Sequence, residues 1–460
     1  MPDRRLQIAK VFLFTVLLSP IDLHGAFNGS LGRTFPQPKG SIDACGRQLY
    51  NTDGTPLHYR DHCLALSGSA LVLGNGPPPS DRFEPPYVAY STGGSSVQAV
   101  SMDDFNQDGK LDMAVSTCGG SDPSRDQRLW IARQDNPSSF STVYSAVVGA
   151  ADPQSLDVAD MDGDSYLDTV VANSHGGAGN RGDVEVFWGT GYFTFTRTDH
   201  TAGANPYAMA LMPVYDDYAR SLAVTTNWND VILSSYLGAT GYTAIRTDYS
   251  APQAGWNQSA TGDLDNDGNQ DIAAMWGQLY VAPAFTEYFG DGQGGLSVGP
   301  DFPKVNRNPS AIAVGDVTRD GRDDVIIARG GNRPYAEILV YSQDPAGHLS
   351  LTASYPSYDM PESLDVADIN CDGLNDLIAT NAGWFAFSWW PGQPDGSLGM
   401  YQIESHSFYF SHVGPNGAEL ADVDGDGLLD YVVVDLNVDG VLVAIQRPCP
   451  WRLYLPAVSK

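Results

Sequence analysis

A chain of 460 residues is long enough to bury a large core, and a net charge of −30 sets up an acidic field that repels nucleic acid. Its 55 acidic residues are seven Glu and 48 Asp, a bias toward the side chain that suits tight turns and close oxygen cages around a metal rather than a merely solubilising surface. With 49 Gly and 11% aromatic residues, the composition fits an all-β protein with many turns.

The chain opens MPDRRLQIAKVFLFTVLLSPIDLHGA, in which Arg4, Arg5 and Lys10 precede the apolar run Val11 to Leu18, then Pro20 and small residues near Ala26. This pattern is expected of a secretory signal peptide over residues 1–26. The run is shorter than the roughly 20 residues that span a bilayer, and no later segment is long and apolar enough. The mature protein is therefore expected outside the cell, with no membrane insertion after cleavage. Residues 27–81 read as an N-terminal extension. Of the five Cys, at 45, 63, 118, 371 and 449, Cys45 and Cys63 form the nearest local pair, and the odd count leaves at least one thiol over. No CxxC occurs, and the Cys and His lack zinc-like spacing.

From Asp104 onward an acidic turn recurs. The first, DFNQDGKLD, carries Asp104, Asn106, Asp108, Lys110 and Asp112; the second, DMDGDSYLD, carries Asp160, Asp162, Asp164, Tyr166 and Asp168. Then follow DLDNDGNQD (Asp263, Asp265, Asp267, Asn269, Asp271) and DVTRDGRDD (Asp316, Thr318, Asp320, Arg322, Asp324). The last two are DINCDGLND (Asp368, Asn370, Asp372, Leu374, Asp376) and DVDGDGLLD (Asp422, Asp424, Asp426, Leu428, Asp430). Successive starts lie 56, 103, 53, 52 and 54 residues apart, so one period is missing between Asp160 and Asp263. The stretch AMALMPVYDDYARSLAVTT at 208–226 supplies it, with Pro213, Tyr215 and Ser221 where acidic ligands would stand.

Each turn lies between two β-branched, roughly alternating runs, such as AIAVG and DDVIIAR, which predicts a hairpin rather than the flanking helices of an EF-hand. Two further apolar runs complete each unit, as in EILVYSQDPAGHLSLTASY at 337–355. Four strands in about 50 residues, repeated seven times, predict a seven-bladed β-propeller of four-stranded blades over residues 82–447, followed by a tail at 448–460. The last unit lacks a fourth strand in the usual place. RFEPPYVAYSTGG at 82–94 is expected to complete it from the N-terminal side, and ALVLGNG at 70–76 competes as a further N-terminal strand that would displace GVLVAIQ.

Like charges about 4 Å apart repel by roughly 1 kcal/mol per pair even in bulk water, so each turn calls for a cation. Side-chain oxygens at positions 1, 3, 5 and 9, a backbone carbonyl at position 7 and no soft ligand match Ca²⁺. Gly163 in the second turn and the sixth-position Gly of the other five let the chain turn back. These turns resemble the calcium loops of the FG-GAP/VCBS repeats, the propellers of integrin α-subunits and of secreted microbial proteins. The similarity covers about residues 82–447 and is closer to the microbial type. It implies up to six structural Ca²⁺ ions, held by the residues named above. No metal is expected in the third unit, and a weaker site is expected where Thr318 stands.

Chemistry is otherwise sparse. Walker and HExxH motifs are missing, and the eight His are scattered. No catalytic residue is singled out. The expected role is a monomeric, non-catalytic scaffold that binds or adheres to a protein or carbohydrate. A carbohydrate-active enzyme or lectin on the same propeller is the alternative, with Trp228, Trp256, Trp276, Trp389 and Trp390 stacking on sugars. Arg181-Gly182-Asp183 could mimic an integrin ligand but sits where a strand begins.

Overall fold

The structure, a computed structural model, describes residues 65–67, 70–72 and 82–447, the last without 93–95, 119–126, 149–150, 178–180, 202–205, 216–218, 227–229, 236–246, 251–256, 277–282, 293–294, 304–306, 383, 411–415 and 436–439. The expected signal peptide, Cys45, Cys63, Trp228 and Trp256 lie outside these residues. All regular elements named below are strands, and no helix of the described residues is long and apolar enough to cross a membrane.

Strands β1 (Ala65–Ser67) and β2 (Ala70–Val72) pair only with each other, and β3 spans Phe83–Ser91. The first blade contains β4 (Val97–Asp103), β5 (Asp112–Thr117), β6 (Arg128–Asn136) and β7 (Ser139–Val147). The second contains β8 (Ala151–Ala159), β9 (Asp168–Gly177), β10 (Arg181–Gly191) and β11 (Thr194–Thr201). The third contains β12 (Pro206–Tyr215), β13 (Ala219–Thr226), β14 (Asp230–Ser235) and β15 (Thr247–Ser250). The fourth contains β16 (Asn257–Gly262), β17 (Asp271–Trp276), β18 (Pro283–Gly290) and β19 (Leu296–Pro303). The fifth contains β20 (Pro309–Gly315), β21 (Asp324–Arg329), β22 (Glu337–Gln343) and β23 (Leu349–Pro356). The sixth contains β24 (Pro361–Ala367), β25 (Asp376–Asn381), β26 (Trp384–Trp390) and β27 (Gln402–Phe410). The remaining strands, β28 (Ala418–Ala421), β29 (Asp430–Asp435) and β30 (Gly440–Gln446), pair in sequence, and β3 adds antiparallel to β30.

The protein is thus an all-β propeller of four-stranded antiparallel blades. Among the described residues, the expected count of seven resolves into six blades of consecutive strands and one composite sheet drawn from both ends. Innermost strands touch their successors from β4 through β8, β12, β16, β20 and β24 to β28, which returns to β4. Residues 70–72, the described part of the segment at 70–76, form β2 and pair with β1 rather than with the composite sheet, and GVLVAIQ keeps its place as β30.

Burial follows from this arrangement. A blade's second strand has neighbouring blades on both faces, so β5, β17, β21 and β25 are buried at every residue, and behind a leading Asp their sequences DMAVST, DIAAMW, DVIIAR and DLIATN are mostly apolar or small rather than alternating. Outermost strands such as β7 and β23 face solvent along most of their length. The composite sheet packs between the sixth and first blades. One core cluster joins Phe83, Val100, Met113, Ile378, Phe387, Tyr431 and Val443. Phe83, 1% exposed, meets Phe387 edge-on at 5.1 Å and lies 6.4 Å from Tyr431.

Two outcomes follow. A chain starting at residue 61 retains β3 and should stay monomeric with an unchanged melting point, whereas one starting at 95 exposes the edge of β30 and should aggregate or melt well below it. Phe83→Ala should cost about 3–5 kcal/mol in chemical denaturation, as for other large core aromatics. A loss below about 1 kcal/mol would mean that β3 is not anchored through this ring.

Candidate metal centres

All six acidic turns connect the first and second strands of their blades. Their backbones share a left-handed residue at both position 4 and position 6. The fourth residues are Gln107, Gly163, Asn266, Arg319, Cys371 and Gly425, and the sixth are Gly109, Ser165, Gly268, Gly321, Gly373 and Gly427. This double inversion points amides inward. The first carboxylate accepts the N–H groups of positions 5 and 6 in, for example, Asp104 (from Asp108 at 3.0 Å and Gly109 at 2.7 Å) and Asp368 (from Asp372 at 3.1 Å and Gly373 at 2.8 Å). Asp160 instead accepts from Gly163 and Ser165, at 2.7 and 2.9 Å. The fifth carboxylate accepts the N–H of the seventh residue in every loop, from Lys110, Tyr166, Asn269, Arg322, Leu374 and Leu428 at 2.7 to 3.0 Å.

The ninth carboxylate opens the second strand and has no exposed surface in any of the six loops: Asp112, Asp168, Asp271, Asp324, Asp376 and Asp430. One oxygen faces its own loop, accepting from Met161, Leu264, Val317, Ile369 and Val423 at 2.7 to 3.0 Å. In five loops an oxygen also accepts from the end of the third strand or just beyond it, from Gln134, Gly189, Gly290, Gly392 and Gln446, at 2.7 to 2.8 Å. Burial pushes these carboxyls up, to about 6 for Asp112 and Asp324 and to about 7 for the other four, although their hydrogen bonds pull the other way.

Carboxylates converge in three loops: Asp160, Asp162 and Asp168; Asp263, Asp265 and Asp271; and Asp422, Asp424 and Asp430, each with ligand atoms within 4.8 Å of one another. All three have Asp at position 3. Where Asn106, Thr318 or Asn370 stands there, no such group of three acids forms among the described residues. Thr318 Oγ1 donates to Asp324 Oδ1 at 3.2 Å, and Asn370 Nδ2 donates to Asp376 Oδ1 at 3.2 Å, so both side chains lean on the ninth carboxylate. In the fifth blade Arg322 forms an ion pair with Asp320, setting a protein cation beside the loop. The donor set fits a hard cation, and in the last loop Asp422 Oδ1 is buried without a hydrogen-bond partner.

Neighbouring blades brace these loops. Gln343 Nε2 donates to the backbone O of Asp263 at 2.6 Å, Gln134 Nε2 to that of Val423 at 2.8 Å, and Gln446 Nε2 to that of Ile369. Asn375 Nδ2 donates to Asp316 O at 2.8 Å. The turn between β22 and β23 approaches so closely that a Cβ on Gly347 would lie 2.1 Å from Asp265 O. Nothing local in the sequence marked these contacts, because they join residues up to 289 positions apart.

Among the described residues, the other sequence candidates lie within the blades. Trp276 and Trp390 are fully buried, and their indole N–H groups donate to Thr286 Oγ1 at 2.9 Å and Pro356 O at 3.1 Å; Trp389 is 3% exposed. Arg181-Gly182-Asp183 lies in β10, with Asp183 Oδ1 accepting from Asn173 at 3.0 Å. Cys371 is disulfide-bonded.

Left-handed backbone costs an L-residue roughly 1–2 kcal/mol, so Ser165→Gly, at φ +74°, should stabilise the second blade by up to about 1 kcal/mol. Gly268→Ala should destabilise by about 1 kcal/mol through conformation alone, since nothing lies within 4 Å of the added methyl. Urea titrations check both, and opposite signs would refute the backbone reading.

No curated protein gave a significant match to the chain. The profile of the FG-GAP-like repeat matches residues 104–171, 316–379 and 368–433, each match taking in two consecutive acidic loops. The matched stretches are similar to FG-GAP-like repeats and take in five of the six acidic turns, all but the one that starts at Asp263.

Proposed function

We propose that the chain is a calcium-stabilised scaffold, a ring of seven blades when the composite sheet is counted, exported from the cell to bind a protein or carbohydrate. The observation that carries the calcium reading is the convergence of three carboxylates in the loops at Asp160, Asp263 and Asp422, one of the three in each being the wholly buried ninth Asp. Oxygen-only donors with three or four negative charges suit Ca²⁺ better than a soft metal. Bound there, the ion would neutralise carboxylates that the fold has taken out of water. The first, third, fifth and ninth side chains would hold it, with the seventh carbonyls of Tyr166, Asn269 and Leu428. The loops of the first and sixth blades, with Asn at position 3, are proposed as further sites, and the Arg322 loop as the weakest.

Export accords with the N-terminal pattern and with the disulfide at Cys371, since such bonds persist in oxidising compartments. The burial of Trp276, Trp389 and Trp390 weighs against sugar stacking by these rings and so favours a scaffold over a carbohydrate-active enzyme.

Extracellular calcium modules bind with Kd about 10⁻⁴ to 10⁻³ M, so about 1 mM Ca²⁺ should stabilise each loop by roughly 0.4–1.4 kcal/mol. Scanning calorimetry should show a higher melting point in calcium than in excess chelator, and equilibrium dialysis should find no more than six ions, three of them tightest. Asp265→Asn should turn one of the three tight sites into a weaker one of the Asn106 and Asn370 type and reduce the calcium-dependent gain accordingly. An identical midpoint with and without chelator would overturn the calcium reading.

A further inference from the structure

Away from the metal loops, a cavity of ≈ 440 Å³ opens between the innermost strands β16, β20, β24 and β28. That volume lies in the range of small-molecule sites, roughly 300–1,000 Å³, and exceeds what a bare ion fills. Two carboxylates line it, Asp365 of β24 and Glu419 of β28, and no lining residue is cationic. Each stands three residues before the first Asp of its loop, the position held by Asp157 in the second blade. Asp157, Asp365 and Asp103 all act on Glu419 as like charges.

Asp365 Oδ2 is enclosed and has no hydrogen-bond partner. Nearby, the Tyr431 hydroxyl is engaged by Ser363 Oγ at 3.2 Å and Thr380 Oγ1 at 2.8 Å. Glu419 Oε2 accepts the Met102 N–H at 2.9 Å, a bond that carries no positive charge. Burial pushes Asp365 up to about 7 and Glu419 up to about 8, the direction expected when carboxylates share an enclosed space without a counter-ion. Leaving a buried acceptor unsatisfied costs about 1–3 kcal/mol, which a donor entering the cavity would recover.

We propose that this cavity binds a small organic cation bearing a primary ammonium group, with Asp365 and Glu419 as its counter-charges. An ammonium presents three N–H donors to acceptors on separate strands, and its methylene chain would lie along Val366 and Leu420, which also line the space. A divalent metal fits less well, because the groups of three converging acids found among the described residues lie in the loops and not here. The inference does not depend on calcium in the loops.

The probe is putrescine, titrated calorimetrically into the full-length protein near neutral pH with calcium saturating, and compared with its uncharged counterpart butanediol. We expect one saturable site for putrescine and none for butanediol. Asp365→Asn, which keeps shape and removes charge, should weaken putrescine by at least about tenfold while leaving the calcium-dependent melting shift in place. Glu419→Gln provides the same comparison if the first variant folds poorly. No saturable heat, equal binding of the diol, or unchanged affinity in both variants would overturn the proposal.

Discussion

The blades depend on a carboxylate placed where water cannot reach it. At the ninth position of each acidic turn an Asp with no exposed surface accepts backbone N–H groups, from its own loop in five turns and from the region ending the third strand in five. It thereby ties the hairpin of strands one and two to strand three, across a sheet that β-ladder bonds alone would leave free to splay at that end. Two charged-acceptor bonds of this kind are each worth about 1.5–3 kcal/mol. Burial takes back much of that gain, as the upward shifts of all six carboxyls show.

That tension explains the rest of the turn. Left-handed residues at positions 4 and 6 aim amides at the first carboxylate, and the fifth is held by the seventh N–H, so the acids are fixed before any cation arrives. Preorganisation of this kind spares a ligand the entropy of ordering its site. Glutamine and glycine contacts from the next blade then bear on the same loops, so whatever rigidifies a loop also rigidifies a blade interface.

Much of this was legible in sequence because the repeat multiplies weak signals. One Asp-rich turn is only a turn, but six in register located the hairpins and the ninth Asp, and the run at 82–91 was readable as the closing strand because the last unit lacked one. Differences among the loops were harder to read. Arg322 was readable only as the source of a seventh-position backbone carbonyl, and the pairing of its side chain with Asp320 had no signal of its own. The left-handed fourth residue, Gln107, Arg319 or Cys371, has no residue-type signature at all. Gln134, Gln343 and Gln446 were invisible because their partners are distant in the chain. Asp157, Asp365 and Glu419 did carry a signal: all stand three places before a loop, at a position filled by Ala260 and Ala313 in other blades.

The link between cation and blade can be read at single amides. Hydrogen exchange at Gly189, Gly290 and Gln446, whose N–H groups meet the ninth carboxylates of the three acid-rich loops, should slow markedly when calcium replaces chelator. Amides in β23, a solvent-facing outer strand of the blade with the Arg322 loop, should change least. Equal protection of Gly189, Gly290 and Gln446 in the two conditions would contradict the claim that calcium at these turns holds the blades together.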